Sequence, residues 1–560
     1  MPAPDLPNEI LQQIFDNIDK SSFSTLHSII LVNRSWCQNG ISRLWAQPFS
    51  IVVLPKILPI IPRNIISIFP IYLSFLDSET ITEFKANLKI TDSDSSCFQI
   101  SNLQAKRKSR FDHPLFDYPS FLQQIDLSVF LYHLFSWVKK NSRWSNKFSG
   151  VRKLVKDNFR RIQRKGNQGE EVKYDTSIEM RLGERLFLMF ISRSKNFTNF
   201  RYKWTLPNFD YHEEIMKEFF SSEVVTNWLS NLSSLDFNFQ LKSLITKFTP
   251  HLQNLNSLSL RFPADYAEDV YNLIRAQKNL EHLQIYLHIF NNYPIPSISP
   301  LPWRLSLSQH ADTLKSFSID TLLWVNFDEE ALRTLLLCRK LESLKLLKLQ
   351  LPKERLILFK DSCFTMLTEL HLEFSHFQNY GDYLQYLTHL FDHCRNTLEI
   401  LKIKMTVRSS IHHLIDHIAI NCDNLMELSI SVGTEEEMWS VLKLVKMRNK
   451  IRKLEIHKLL YFDCRVDAYL VCFGSILRAG TLRWLGLMDM KISGIYVEWF
   501  LRTCAAGGIK SLYYECDDMP EEGHNMIVDN LKRESVMSNR CLYRTHKVGE
   551  NDFWVYLDRI

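Results

Sequence analysis

At 560 residues, with 45% hydrophobic and 23% charged residues, the chain is too long for one core and too apolar for wholesale disorder. Its 15 glycines are too few for a collagen-like or linker-dominated protein and disfavour Gly-rich phosphate loops. The net charge of +6 is concentrated: residues 139–165 hold 11 Lys or Arg and one acid, so the rest of the chain is slightly acidic.

The opening MPAPDLPNEI has no basic stretch followed by an apolar one, so no secretory signal is expected. The 11 cysteines make no C-x-x-C pair and are odd in number, which points to reduced thiols in an intracellular, cytoplasmic or nuclear, protein. Residues 5–50 read as a helical block. In DLPNEILQQIFDNI, Pro7 suits a first helical turn and Glu9 sits near the positive helix end. Ile10, Ile14 and Ile18 recur every four residues, with Leu11 and Phe15 one step round. A second helical stretch carries Leu26, Ile29 and Ile30. VNRSWCQNGISRLW then supplies Val32, Trp36, Ile41, Leu44 and Trp45. A block of about 45 residues is marginal as an independent core, so surplus apolar surface on it implies a partner.

The residue order Leu-Pro-x-Glu-Ile, then Ile-Phe, then Val-x-Arg-x-Trp and a closing Leu-Trp resembles the F-box family over residues 5–46. That resemblance implies an all-α module (residues 1–50) that docks a Skp-family adaptor, and through it cullin and RING subunits. It carries docking roles to Leu6, Pro7, Ile10, Ile14, Phe15, Val32 and Trp36.

The most apolar window, 51–76, contains Lys56, Arg63, Asn64 and four prolines, which disfavours a membrane-spanning helix. Residues 51–230 read as a mostly helical bridge. Apolar helical patches lie near 121–138 and 185–193, and flexible loops are expected near 91–113 and 165–171. The basic run 139–165 interleaves with Trp137 and Trp144, and KRKSR stands at 106–110. Nucleic acid or an anionic surface is an alternative partner there. A solvated helix face and loop is the plainer expectation.

From about residue 231 to 540 the chain is periodic. L-x-x-L-x-L, with Ile or an aromatic substituting, starts at 255 (LNSLSL), 280, 314, 341 (LESLKL), 367, 398, 425 (LMELSI), 451, 482 and 509, with a weaker copy at 232. The steps from 255 are 25, 34, 27, 26, 31, 27, 26, 31 and 27 residues. Between motifs the apolar period lengthens to that of a helix: Ile411, Leu414, Ile415, Ile418, Ala419 and Cys422 share one face. One repeat is therefore a short strand and a returning helix, and such units must stack to bury their faces. Cys338, Cys363, Cys394 and Cys422 stand three or four residues before a motif Leu.

This pattern resembles leucine-rich repeats, most closely the cysteine-containing class found in F-box proteins. It departs from the general consensus after the motif, where Leu349, Ser375, Thr406 and Gly433 replace the usual Asn or Cys. The expected fold class is α/β: an all-α N-terminal module, a helical bridge, a solenoid of short parallel strands and helices, and a capping segment at 541–560. In such a repeat the residues between the leucines face the open side of the sheet. Counting along the strands places Tyr286, His371, Lys402, Lys404, Trp484 and Tyr513 there as candidate substrate contacts. Trp484 and Tyr513 are the aromatic anchors unless NDFWVYLDRI lays a strand over them. The charge on this face alternates in sign, which disfavours a nucleic-acid groove.

No nucleophile elbow, P-loop, H-E-x-x-H or kinase signature is present. His413 and His417 are four apart on a helix but lack an evident third ligand, so no metal, cofactor or catalytic residue is expected. The reading that follows is a non-catalytic substrate-recognition subunit of an SCF-type ubiquitin ligase, holding an unknown protein substrate and touching no membrane. A repeat scaffold unconnected with ubiquitin, or a nucleic-acid-associated regulator using 139–165, are the alternatives.

Overall fold

The computed structural model describes residues 6–18, 23–49, 68–87, 116–141, 177–202, 220, 222–238, 242–288, 306–320, 329–349, 353–374, 381–405, 411–459, 469, 482–506, 509–517, 525–527, 529–530, 542–547 and 552–558. The chain divides into two compact units, Met1–Leu255 and Asn256–Ile560. The expected loops near 91–113 and 165–171, most of the apolar window 51–76, KRKSR and all but the first residues of the basic run fall outside the described residues.

The first unit opens with three helices, α1 (Asn8–Asp16), α2 (Phe23–Ile30) and α3 (Arg34–Leu44). Pro7 starts α1, and its carbonyl accepts from the Ile10 and Leu11 N–H groups. Asn33 caps α3: its side-chain oxygen accepts from the Trp36 N–H at 2.9 Å. Leu11, Phe15 and Leu26 form the core, with Leu6, Ile18, Ile29, Trp36 and Leu44 packed around them. Gly40 makes this approach feasible. A Cβ there would lie 2.8 Å from Ile30 Cγ2 and 2.9 Å from the Phe15 ring.

Beyond α3 the chain locks onto the rest of this unit. Trp45 tilts over Tyr118 at 4.2 Å and meets Tyr72 edge-on at 5.4 Å. Phe49 is fully buried among Phe69, Tyr72, Phe130 and Phe190. These rings come from the helices Phe69–Leu73, Leu127–Asn141 and Ser177–Arg193. Among its described residues the bridge 51–230 also holds two strands that a helical reading did not anticipate, β1 (Gln124–Asp126) and β2 (Asn199–Tyr202), and β3 (Ser234–Asn238) falls on the weaker motif copy at 232. The three run parallel, with Ile125 beside Phe200 and Phe200 beside Leu235.

One hydrogen-bond device recurs where the chain enters each strand: a single carbonyl accepts two successive N–H groups. The Ala46 oxygen takes Gln123 and Gln124 (2.9 and 3.1 Å), the Gln123 oxygen takes Thr198 and Asn199, and the Thr198 oxygen takes Ser233 and Ser234. A carbonyl has two lone pairs, so one acceptor satisfies both donors at the turn. The rungs of the ladder therefore begin at Ala46, one residue beyond the cap of α3.

The second unit repeats the device from the Asn256 oxygen, which takes Glu281 and His282, to the Arg483 oxygen, which takes Lys510 and Ser511. Ten strands follow one another in parallel: β4 (Ser257–Pro263), β5 (His282–His288), β6 (Ser316–Asp320), β7 (Ser343–Leu349), β8 (Glu369–Phe374), β9 (Ile400–Lys404), β10 (Glu427–Val432), β11 (Lys453–Lys458), β12 (Trp484–Ser493) and β13 (Ser511–Asp517). Each lies on one L-x-x-L-x-L motif. Helices such as Ala267–Ala276, Leu387–Cys394, His412–Asn421, Glu435–Met447 and Gly494–Ala506 return the chain. The architecture is α/β, with stacked parallel strands and helices consistent with a repeat solenoid. Motif leucines such as Leu341, Leu344 and Leu346 are fully buried, as are Cys338, Cys394, Cys422 and Cys504, while Cys363 is half-buried.

At the far edge, β14 (Leu542–Lys547) pairs with β15 (Asp552–Asp558), and β15 pairs antiparallel with β13, Tyr513 opposite Trp554. The tail thus extends the sheet sideways as a hairpin instead of laying a strand across its face. No helix among the described residues is long and apolar enough to cross a membrane.

Candidate interaction sites

Two surfaces carry the residues singled out in the sequence, one in each unit. In the helical block Pro7 is exposed, Ile10 is 41% exposed and Val32 is 53% exposed. Leu31, not foreseen, is the most open at 70%. It opens the turn between α2 and α3, and only its neighbour Val32 was singled out by the F-box resemblance. Leu6, Ile14 and Trp36 are half-buried. Phe15 is the exception: at 1% exposure it lies in the core, its ring edge-on to Trp36 at 5.9 Å. It packs beneath the surface and lines the floor of the adjoining cleft. A polar cleft of about 360 Å³ between α1 and α3 is lined by Gln12, Asn39, Ser42 and Gln123, and the Arg43–Asp16 ion pair stands in its wall.

In the second unit the strand registers place side chains in rows across the open face. One row runs Gln284, Ser318, Lys345, His371, Lys402, Ser429, Glu455, Gly486, Tyr513. Two of its charged members are held by residues of the neighbouring rows. Lys345 reaches Glu369 at 2.8 Å, and Lys453 reaches Glu455 at 3.2 Å. Burial alone would raise the Glu455 pKa, but hydrogen bonds with His457 and Ser429 and the Lys453 ammonium hold it down to about 2. Lys348 is the sole non-glycine residue with positive φ (55°) among those described. It sits in a β7 irregularity that aims its ammonium at Asp320, 2.9 Å away.

The six foreseen contacts do not converge. Tyr286 lies near one end, with the Arg261 guanidinium 4.9 Å over its ring. His371, Lys402 and Lys404 sit together on β8 and β9. Trp484 and Tyr513 lie on the adjoining strands β12 and β13, and both are half-buried. Trp484 is folded along its own strand above Gly486, where a Cβ would come within 2.7 Å of indole Cζ3, and Lys453 Nζ lies 5.0 Å from its ring centroid. The glycine in the motif LRWLGL was the available signal for this packing.

Elsewhere the candidates dissolve into structural roles. His417 Nε2 meets Asp392 Oδ1 at 2.9 Å, and no group of three metal-ligating side chains occurs among the described residues. Trp137 is buried against Phe69, so it offers nothing to nucleic acid. One functional-looking carboxylate is a staple: Glu437, 1% exposed, accepts from the N–H groups of Ile411 (2.9 Å), Gly433 (2.6 Å) and Thr434 (3.1 Å). Thr434-x-x-Glu437 is a capping box, legible in the sequence as such. No protein-family model matches the chain, and no curated protein matches it.

Proposed function

We propose that the chain is the substrate-recognition subunit of an SCF-type ubiquitin ligase, acting in the cytoplasm or nucleus and without catalysis of its own. The helical block docks a Skp-family adaptor, as the F-box resemblance over residues 5–46 implies, and the open face of the repeats holds a protein substrate. One observation carries the reading. The block closes its own core with Leu11, Phe15 and Leu26, yet leaves Ile10, Leu31 and Val32 in solvent. Large apolar side chains left open beside a closed core are what a docking module requires. The ladder supports the second half of the reading, because a row of side chains held by paired strands is a rigid recognition surface.

The test is co-expression with a Skp-family adaptor and affinity capture of the full chain. Ile10→Ala/Val32→Ala should abolish adaptor recovery while leaving thermal unfolding unchanged, since both side chains are exposed. Recovery undiminished in that variant, or none with the unaltered chain, contradicts the proposal.

A further inference from the structure

The middle of the open face has unmet hydrogen-bonding and charge demands on the adjoining strands β8 and β9, and on β6 beyond the paired Lys345 of β7. Lys402 and Lys404 on β9 have no hydrogen bond or ion pair among the described residues. Other lysines on this face are held: Lys345 by Glu369, Lys348 by Asp320 and Lys453 by Glu455. Next to Lys402 in register is His371, whose Nε2 is buried and has no partner. Two strands along the same row, Ser318 is 5% exposed and its Oγ also lacks a partner. Buried polar atoms without partners are rare in folded chains, and each calls for a cause.

The geometry points to a subsite for one carboxylate, presented by an Asp or Glu in an extended acidic segment of the bound protein, with Lys402, Lys404 and His371 as its donors. This inference rests on the repeats being a substrate-holding face. The charge count selects a monoanion. Lys345, Lys402 and Lys404 face Glu369 and Glu373 across β7, β8 and β9, which leaves one positive charge. The imidazole adds none near neutral pH, because burial and the three lysines push its pKa down to about 4. A single carboxylate balances the site, whereas a dianionic phosphate overshoots it. Ser318 lies about 10 Å from His371, two strand spacings away. It is too distant for the same carboxylate, so it donates to a backbone carbonyl further along the segment. An extended peptide offers acceptors at such intervals, whereas a lone anion does not.

The experiment uses the full chain and a positional-scanning peptide library. Four pools carry one fixed residue each: Asp, Glu, Asn or phosphoserine. The unaltered chain should retain the Asp and Glu pools at least tenfold over the Asn pool. Lys402→Gln/Lys404→Gln should reduce them to the Asn level, and Lys443→Gln, on the helix Glu435–Met447, should not. Equal retention of the Asp and Asn pools, or selection surviving Lys402→Gln/Lys404→Gln, overturns the subsite. Retention of the phosphoserine pool above both acids overturns the monocarboxylate assignment. Adaptor capture is measured on the same preparation. Capture without peptide selection defeats this inference alone, and selection without capture defeats the ligase reading alone.

Discussion

Removing the Glu437 side chain should loosen the ladder where two successive repeats meet. Its carboxylate takes three backbone N–H groups, and one of them, Ile411, belongs to the turn 26 residues earlier. Glu437→Ala strands all three donors in a site where Glu437 itself is 1% exposed. Each buried unsatisfied donor costs about 1–3 kcal/mol, while the other half of the capping box, the residue-437 N–H donating to Thr434 Oγ1, survives the substitution. Against this, the variant no longer buries a charge, and water entering the vacated space satisfies part of the demand. The expected net loss is about 3 kcal/mol; Glu437→Gln, which keeps one acceptor, should lose about 1 kcal/mol. Burial raises the Glu437 pKa above 4.5 despite the three N–H groups that oppose it. The folded state then binds more protons than the unfolded state, so this group's contribution declines as pH rises from 4.5 through the raised value. The gap between the unaltered chain and Glu437→Ala should therefore be wider at pH 4 than at pH 7. Urea titration at both pH values gives the energies, and hydrogen exchange at the Ile411 amide reports the local opening. An Ala variant within about 0.5 kcal/mol of the unaltered chain, the range of an ordinary surface change, would refute the staple.

Gly486→Ala should force the Trp484 indole off its strand and break its contact with Lys453, at a cost of about 1–3 kcal/mol for overpacking. A red-shifted tryptophan emission measures it, and an unchanged spectrum and midpoint would mean the indole does not lie over residue 486. Cys338 and Cys422, with thiols pushed up to about 12 by burial, together with the fully buried Cys394 and Cys504, should resist a thiol reagent at pH 8 until the chain unfolds. Site-mapped labelling by mass spectrometry checks this, and rapid native labelling of any of the four would contradict their place in the core.

The repeat period was legible because it is written in buried leucines: each motif from 255 to 509 lies on a strand, and alternation correctly separates Leu344 and Leu346 from Lys345. β1 and β2 escaped notice because the rungs at Ala46, Gln123 and Thr198 are separated by helices and long intervening stretches. A period of about 27 residues leaves no trace across such gaps. Phe15 was singled out by the F-box resemblance, but a pattern of residue types does not say which apolar side chain turns inward. Packing against Trp36 and Gly40 decides that. The acidic group at 437 announced its cap but not its second acceptance from Ile411, since that bond depends on how two repeats stack. The unpaired state of Lys402 and Lys404 was equally hidden, because it follows from which neighbours Glu369 and Glu455 hold instead.

The helical block as a docking module is the central claim, and native mass spectrometry of the full chain mixed with a purified Skp-family adaptor tests it most directly. The account predicts a one-to-one complex that disappears with Ile10→Ala/Val32→Ala and persists with Lys402→Gln/Lys404→Gln. Absence of a complex with the unaltered chain, or a complex indifferent to Ile10 and Val32, would contradict it.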